Sequence, residues 1–174
     1  VWAHLQEKAG DIKQKRAEGT LLDPNNGKRI IMVNVEAWKS ADRELEIALG
    51  FGAKIVMFRR GVGYGKHLAE EMKKSMTISD MLNSLANIAS SWGMGKLTLI
   101  PDSKNTFPLK IVLVNCPFCS NEQKSKEPVC NFLAGSFAGF FMGWSGTETK
   151  VKEVACTAMG SNACEFVVES SLPF

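Results

Sequence analysis

The stretch from Val129 to Trp144 constrains the fold of this chain more than any other. Its apolar run is broken only by Cys130, Asn131 and Ser136. It falls short of the roughly 20 apolar residues that cross a bilayer, so it is a helix buried inside a core rather than an anchor. Pro128 suits the first turn, where the missing N–H is not needed. One face of this helix carries Val129, Leu133, Phe137, Phe140 and Trp144; another carries only Ala134, Gly135, Ala138 and Gly139. The small-residue face lets a second backbone approach closely, either from this chain or from a partner subunit. Whatever else the chain contains has to wrap this helix.

With 174 residues, the chain can bury about 70% of its unfolded surface in one large core. The 21 basic and 18 acidic residues are interspersed and leave a net charge of +3. That pattern describes a solvated surface and excludes the clustered basic face of a nucleic-acid binder. The first 19 residues are polar and charged and contain no secretory signal. Together with five cysteines, an odd count that argues for metal or free thiols over a disulfide framework, this predicts a cytoplasmic protein.

The order of elements follows from periodicity and punctuation. Trp2, Leu5, Ala9 and Ile12 recur at helical spacing, which predicts a short amphipathic extension over 1–19 ahead of a domain spanning 20–174. The turn residues Asp23-Pro24-Asn25-Asn26-Gly27 precede an apolar run from Arg29 to Val35, and predict a hairpin from Thr20 to Val35. A helix from Glu36 to Leu49 should end at Gly50. A second helix over 54–74 carries Gly61, Gly63 and Gly65, which mark a kink, a loop or a close backbone approach. Thr77 can cap a third helix running to Ser91. Leu97–Ile100 and Leu109–Val114 read as a hairpin, and 121–127 as a polar loop. Strands over Thr147–Cys156 and Cys164–Glu169 should flank a turn centred on Gly160.

Gly61-Val62-Gly63-Tyr64-Gly65-Lys66-His67 is not a phosphate loop. Its glycines are one residue too close for the Walker spacing, and His67 stands where Ser or Thr would bind magnesium. A close-packed bend is the expected reading.

Cys130, Glu153, Cys156 and Cys164 form the candidate metal set. Cys156 and Cys164 each lie four residues from Gly160, so a hairpin brings them near one another. Glu153 is an odd number of residues from Cys156, so a bulge between them is required to aim both side chains at one point. Cys130, in the first turn of the apolar helix, has the N-terminal dipole that favours a thiolate. Three sulfurs and a carboxylate fit structural, tetrahedral zinc with no open position. Cys116-Pro117-Phe118-Cys119 is a rival Cys-x-x-Cys pair whose role stays open.

The segments Pro128–Gly135, Val151–Gly160 and Cys164–Phe166 resemble the vinyl-4-reductase-type domain. That domain serves as the sensory module of phenol- and xylene-responsive activators, and is related to heme-based nitric oxide sensors and to Golgi-transport subunits that hold an acyl chain. The resemblance implies an α+β fold with an antiparallel sheet packed against helices, preceded here by the N-terminal helix and hairpin, and usually paired as a homodimer. It implies zinc on Cys130, Glu153, Cys156 and Cys164, with Cys116 and Cys119 outside the site. It also implies an apolar pocket between sheet and helices, lined by Trp92, Phe107, Leu109, Ala134, Phe137 and Val151. Phenol sensors grip the hydroxyl with a His and a Trp. Neither His4 nor His67 is placed to do so, which favours a more apolar ligand.

The expected function is therefore a sensory or carrier domain for a small hydrophobic ligand, with zinc as a clamp and no catalytic residue assigned. Two alternatives remain: an enzyme or accessory factor in reduction of a tetrapyrrole vinyl group, and a dimerising scaffold built on the Gly135/Gly139 seam.

Overall fold

The computed structural model describes residues 20–22, 27–101, 108–119 and 125–169. The expected extension over 1–19 lies outside them. The chain divides into two compact units, the second beginning at Lys39.

In the first unit, strands β1 (Leu21–Leu22) and β2 (Arg29–Ile30) pair antiparallel. The hairpin is shorter than the apolar run suggested. Asn34 ends it, because its Oδ1 accepts the N–H groups of Glu36 (2.8 Å) and Ala37 (3.3 Å) and so starts helix α1 (Val35–Leu49). Gly50, with φ of +52°, stops α1 as the sequence predicts.

The second unit is an α+β arrangement built on a four-stranded antiparallel sheet. Helices α2 (Gly52–Lys73) and α3 (Ile78–Ser91) precede strands β3 (Lys96–Pro101) and β4 (Pro108–Val114); helix α4 (Asn131–Ser145) precedes strands β5 (Lys150–Ala155) and β6 (Cys164–Glu169). Spatial order in the sheet is β3-β4-β6-β5. Thr77 caps α3 as expected, its hydroxyl accepting the Asp80 N–H. Among the described residues no helix is long and apolar enough to cross a membrane.

The apolar helix α4 is buried along almost its whole length. Phe137 meets Phe166 of β6 edge-on, with ring centroids 5.0 Å apart. On another side α2 lies against α4 through interlocking glycines. A Cβ on Gly61 would stand 2.1 Å from the Phe132 carbonyl oxygen, and one on Gly65 1.8 Å from that of Ser136. Reciprocally, a Cβ on Gly135 would meet the Phe58 oxygen at 2.0 Å and one on Gly139 the Val62 oxygen at 2.1 Å. The small-residue face therefore serves a helix of the same chain. The glycines of α2 do not bend it: the helix is continuous from Gly52 to Lys73, and Gly61 and Gly65 are small to permit this contact.

Alternation along the strands gives the sheet one buried and one solvated face. The inward row Ile111, Phe166 and Glu153 crosses three adjacent strands in register, and Leu97, Leu113 and Cys164 form the next row. On the outer face Lys110 and Glu165 form an ion pair at 2.6 Å.

Candidate metal centre and adjoining cavity

At the end of the sheet nearest the start of α4, four segments deliver acidic and sulfur-bearing side chains to one buried point. Strand register turns Glu153 inward, opposite Phe166. The ladder then shifts between Glu153 and Ala155, leaving Val154 exposed as the extra residue and Cys156 buried. This is the bulge that the odd spacing demanded. Cys156 lies just beyond the strand and opens the short 3-10 turn Thr157–Met159, so Cys156 and Cys164 approach one another past the end of the ladder rather than across it. Cys164 is the first residue of β6 and pairs with Leu113.

Cys130 precedes α4 instead of lying in its first turn, since the helix begins at Asn131 and not at Pro128. The reason is a competing acceptor. The Cys130 N–H donates to Glu153 Oε2 at 2.8 Å, while its carbonyl accepts the Ala134 N–H that starts the helix. Each of the four predicted ligand residues is buried, and their donor atoms lie within 4.8 Å of one another.

The donor set fits a metal ion on two grounds. The second oxygen of Glu153, Oε1, is buried and has no hydrogen-bond partner among the described residues, an arrangement costly for a carboxylate. Cys130 Sγ and Cys164 Sγ are 3.9 Å apart; sulfurs at about 2.3 Å from a tetrahedral zinc would be about 3.8 Å apart. Burial, and then the neighbouring Cys156, push the Glu153 carboxyl up to about 8.

Cys116 and Cys119 are buried in the same cluster, not set apart from it. Asn115, with φ of +58°, turns the chain at the end of β4. The turn that follows carries Cys116 to 3.6 Å from Cys130 and Cys119 to 3.2 Å from Cys164, sulfur to sulfur. Thr157 Oγ1 is 2.8 Å from Cys119 Sγ. Contacts with the other thiols, Cys116 foremost, move Cys119 below the ordinary thiol range and Cys130 above it. In such a coupled group one sulfur carries charge while its neighbours donate to it.

An apolar cavity of about 60 Å³ lies between α2, α3, α4 and the sheet. Its walls include Tyr64 and Leu68, Leu85 and Ile88, Met94 and Leu97, and Leu113, Leu133, Phe137 and Phe140. Leu113, the cross-strand partner of Cys164, links cavity and cysteine cluster. Of the residues expected to line a pocket, Phe137 does so. Ala134 and Val151 are buried but are not among the lining residues. Trp92 is 50% exposed at the end of α3. Leu109 is on β4 with its side chain outside the described set, and Phe107 lies outside the described residues. Sequence reasoning missed the contribution of α2 and α3. The apolar stripe of α3 was its available signal. His67 is exposed, and the Ser136 hydroxyl donates to the Phe132 carbonyl.

Residues 109–170 match the family model of the vinyl-4-reductase domain. Among curated relatives, an uncharacterized protein of Methanocaldococcus jannaschii is 29% identical over 169 residues, covering 95% of this chain and 80% of its own length. A second from the same organism is 24% identical over 102 residues, 59% of this chain and 60% of that one. The phenol-responsive sensory domain of the transcription activator PoxR, crystallised with phenol, has a similar fold: TM-score 0.69 at 17% identity, covering 95% of this chain and 90% of that one. So does a trafficking protein particle complex subunit 3 from Naegleria fowleri covalently bound to palmitic acid, with TM-score 0.57 at 17% identity over 81% of this chain and 98% of the other. A vinyl-4-reductase family protein of M. jannaschii superimposes with TM-score 0.51 at 24% identity, covering 80% and 96%. Over residues 109–170, from β4 through β6, this chain is a vinyl-4-reductase domain.

Proposed function

We propose that this chain is a sensory or carrier domain that takes a small hydrophobic molecule into the cavity between α2, α3, α4 and the sheet. Cys130, Glu153, Cys156 and Cys164 hold a structural zinc ion beside it. The observation that carries the reading is the juxtaposition of an apolar cavity with a buried, closed ligand set through Leu113 and Cys164. Zinc bound there supplies folding energy by tying the start of α4 to the β5–β6 hairpin. The similar fold of a domain crystallised with phenol and of a subunit carrying palmitic acid supports the same use of the interior.

The cavity of about 60 Å³ is smaller than the roughly 150 Å³ that accepts a benzene ring. A ring-sized ligand therefore enters by displacing cavity side chains, among which Tyr64 is 49% exposed and stands at the mouth. Solvent extraction and mass spectrometry of the purified protein, with thermal shift against small aromatics and alkanes, test the reading. Failure of both, no extracted ligand and no shift, would remove it.

A second copy of the chain is the proposed cover for the exposed apolar residues Ile47, Phe51 and Ile55 around the α1–α2 junction. Sedimentation of the wild type and of Phe51→Glu tests this: the wild type should be a dimer and the variant a monomer.

A further inference from the structure

The six buried donors of the cluster do not form one quartet with two spare thiols. They form two quartets, Cys130, Glu153, Cys156, Cys164 and Cys116, Cys119, Cys130, Cys164, each with all its ligand atoms within 4.8 Å. The two sets share two residues, Cys130 and Cys164. Two four-coordinate ions require eight ligand positions. Six residues fill them when two thiolates bridge, and thiolate sulfur has the lone pairs to do so.

We propose that this chain holds a second zinc ion on Cys116, Cys119, Cys130 and Cys164, forming with the first a two-ion cluster bridged by the thiolates of Cys130 and Cys164. The inference rests on the proposed zinc at Cys130, Glu153, Cys156 and Cys164.

Geometry and charge both support it. The bridging pair, 3.9 Å apart, is the shared edge of two tetrahedra, and Cys116 at 3.6 Å from Cys130 is close to the same edge length. Cys116 and Cys119 have the Cys-x-x-Cys spacing that lets one turn present two sulfurs to one ion, and both are 1% exposed. Thr157 Oγ1, 2.8 Å from Cys119 Sγ, can donate its proton to a bound thiolate and orient it. Five thiolates and one carboxylate carry six negative charges. One zinc would leave four of these uncompensated in a buried site, or require thiols to stay protonated, whereas two zinc ions leave two. A sulfur-only set and a sulfur-rich mixed set both select zinc over harder cations.

Native mass spectrometry of the full chain, purified with zinc present and exchanged into volatile buffer, counts the ions directly. Two zinc ions per chain are expected, falling to one in the Cys116→Ser/Cys119→Ser double variant. Cadmium-exchanged protein should give two NMR resonances, one for a four-sulfur site and one for three sulfurs and an oxygen, coupled through the bridging sulfurs. One ion in the wild type overturns the second site and leaves the clamp standing; no ion overturns both. Two ions retained by the double variant overturn the assignment to Cys116 and Cys119. Should that variant not fold, the wild-type count and the pair of cadmium resonances decide the matter by themselves.

Discussion

The backbone N–H of Cys130 and the Glu153 side chain are joined by a 2.8 Å hydrogen bond across a separation of 23 residues. That bond fixes where α4 begins. It also leaves one carboxylate oxygen of Glu153 buried and facing the sulfurs. The start of the central helix and the centre of the cysteine cluster are thus defined by the same side chain.

Replacing a non-bridging ligand of the clamp should show its structural weight. Cys156→Ser is expected to release zinc and to cost several kcal/mol, lowering the melting temperature by on the order of 10 °C in a domain of this size. Metal analysis and thermal melts of variant and wild type check it. Full zinc content in Cys156→Ser would refute the assignment.

The metal-free chain should respond to pH through Glu153. Its carboxyl, pushed up to about 8 in the folded state against roughly 4.3 unfolded, favours the protonated form on folding. The stability this contributes is complete below about pH 4.3 and is lost as pH rises through 8. The chelated protein should therefore lose at most about 5 kcal/mol across that window from this group, and Glu153→Gln should flatten the slope. Parallel melts of chelated wild type and variant across the range give the difference. Equal slopes would show that Glu153 does not titrate there.

Two glycine substitutions on one helix should have opposite signs. A Cβ at Gly65 would lie 1.8 Å from the Ser136 oxygen, so Gly65→Ala must push two backbones apart and should cost about 3 kcal/mol or more. Gly63, on the same helix, has nothing within 4 Å of the added methyl, and Gly63→Ala should gain up to about 1 kcal/mol from helix propensity. Urea denaturation of the two variants would settle both.

Enlarging the cavity should trade stability for binding. Leu85 is buried in its wall, and Leu85→Ala should cost about 2–5 kcal/mol while opening space beside Ile88 and Phe137. Benzene or indole should then raise the melting temperature of the variant more than that of the wild type. An equal or smaller shift would place the ligand elsewhere.

Much of this arrangement could be read from local signals. Thr77 capped its helix, Gly50 stopped one, and the Glu153–Cys156 spacing required the observed bulge. Each depends on interactions a few residues apart. The placement of Cys116 and Cys119 does not: it turns on Asn115 adopting a left-handed conformation, to which a sequence offers only a weak preference. The Cys-x-x-Cys spacing was visible, but its destination was not. The glycines of α2 were similarly ambiguous. They signal close approach or a bend with equal force, and only the matching glycines of α4, about seventy residues away, select the first. The cavity wall on α2 and α3 followed from that long-range pairing and was illegible for the same reason.

The glycine contact between α2 and α4 also apportions compliance within the domain. Where backbone meets backbone there are no rotamers to change, so this seam acts as an incompressible hinge plate on one side of the cavity. A guest larger than the present void has to borrow its volume from walls built of Leu85, Ile88 and Met94. The displacement a ligand causes is thereby channelled toward α3 and the turn after it, which makes that helix the part of the molecule where occupancy becomes mechanical output.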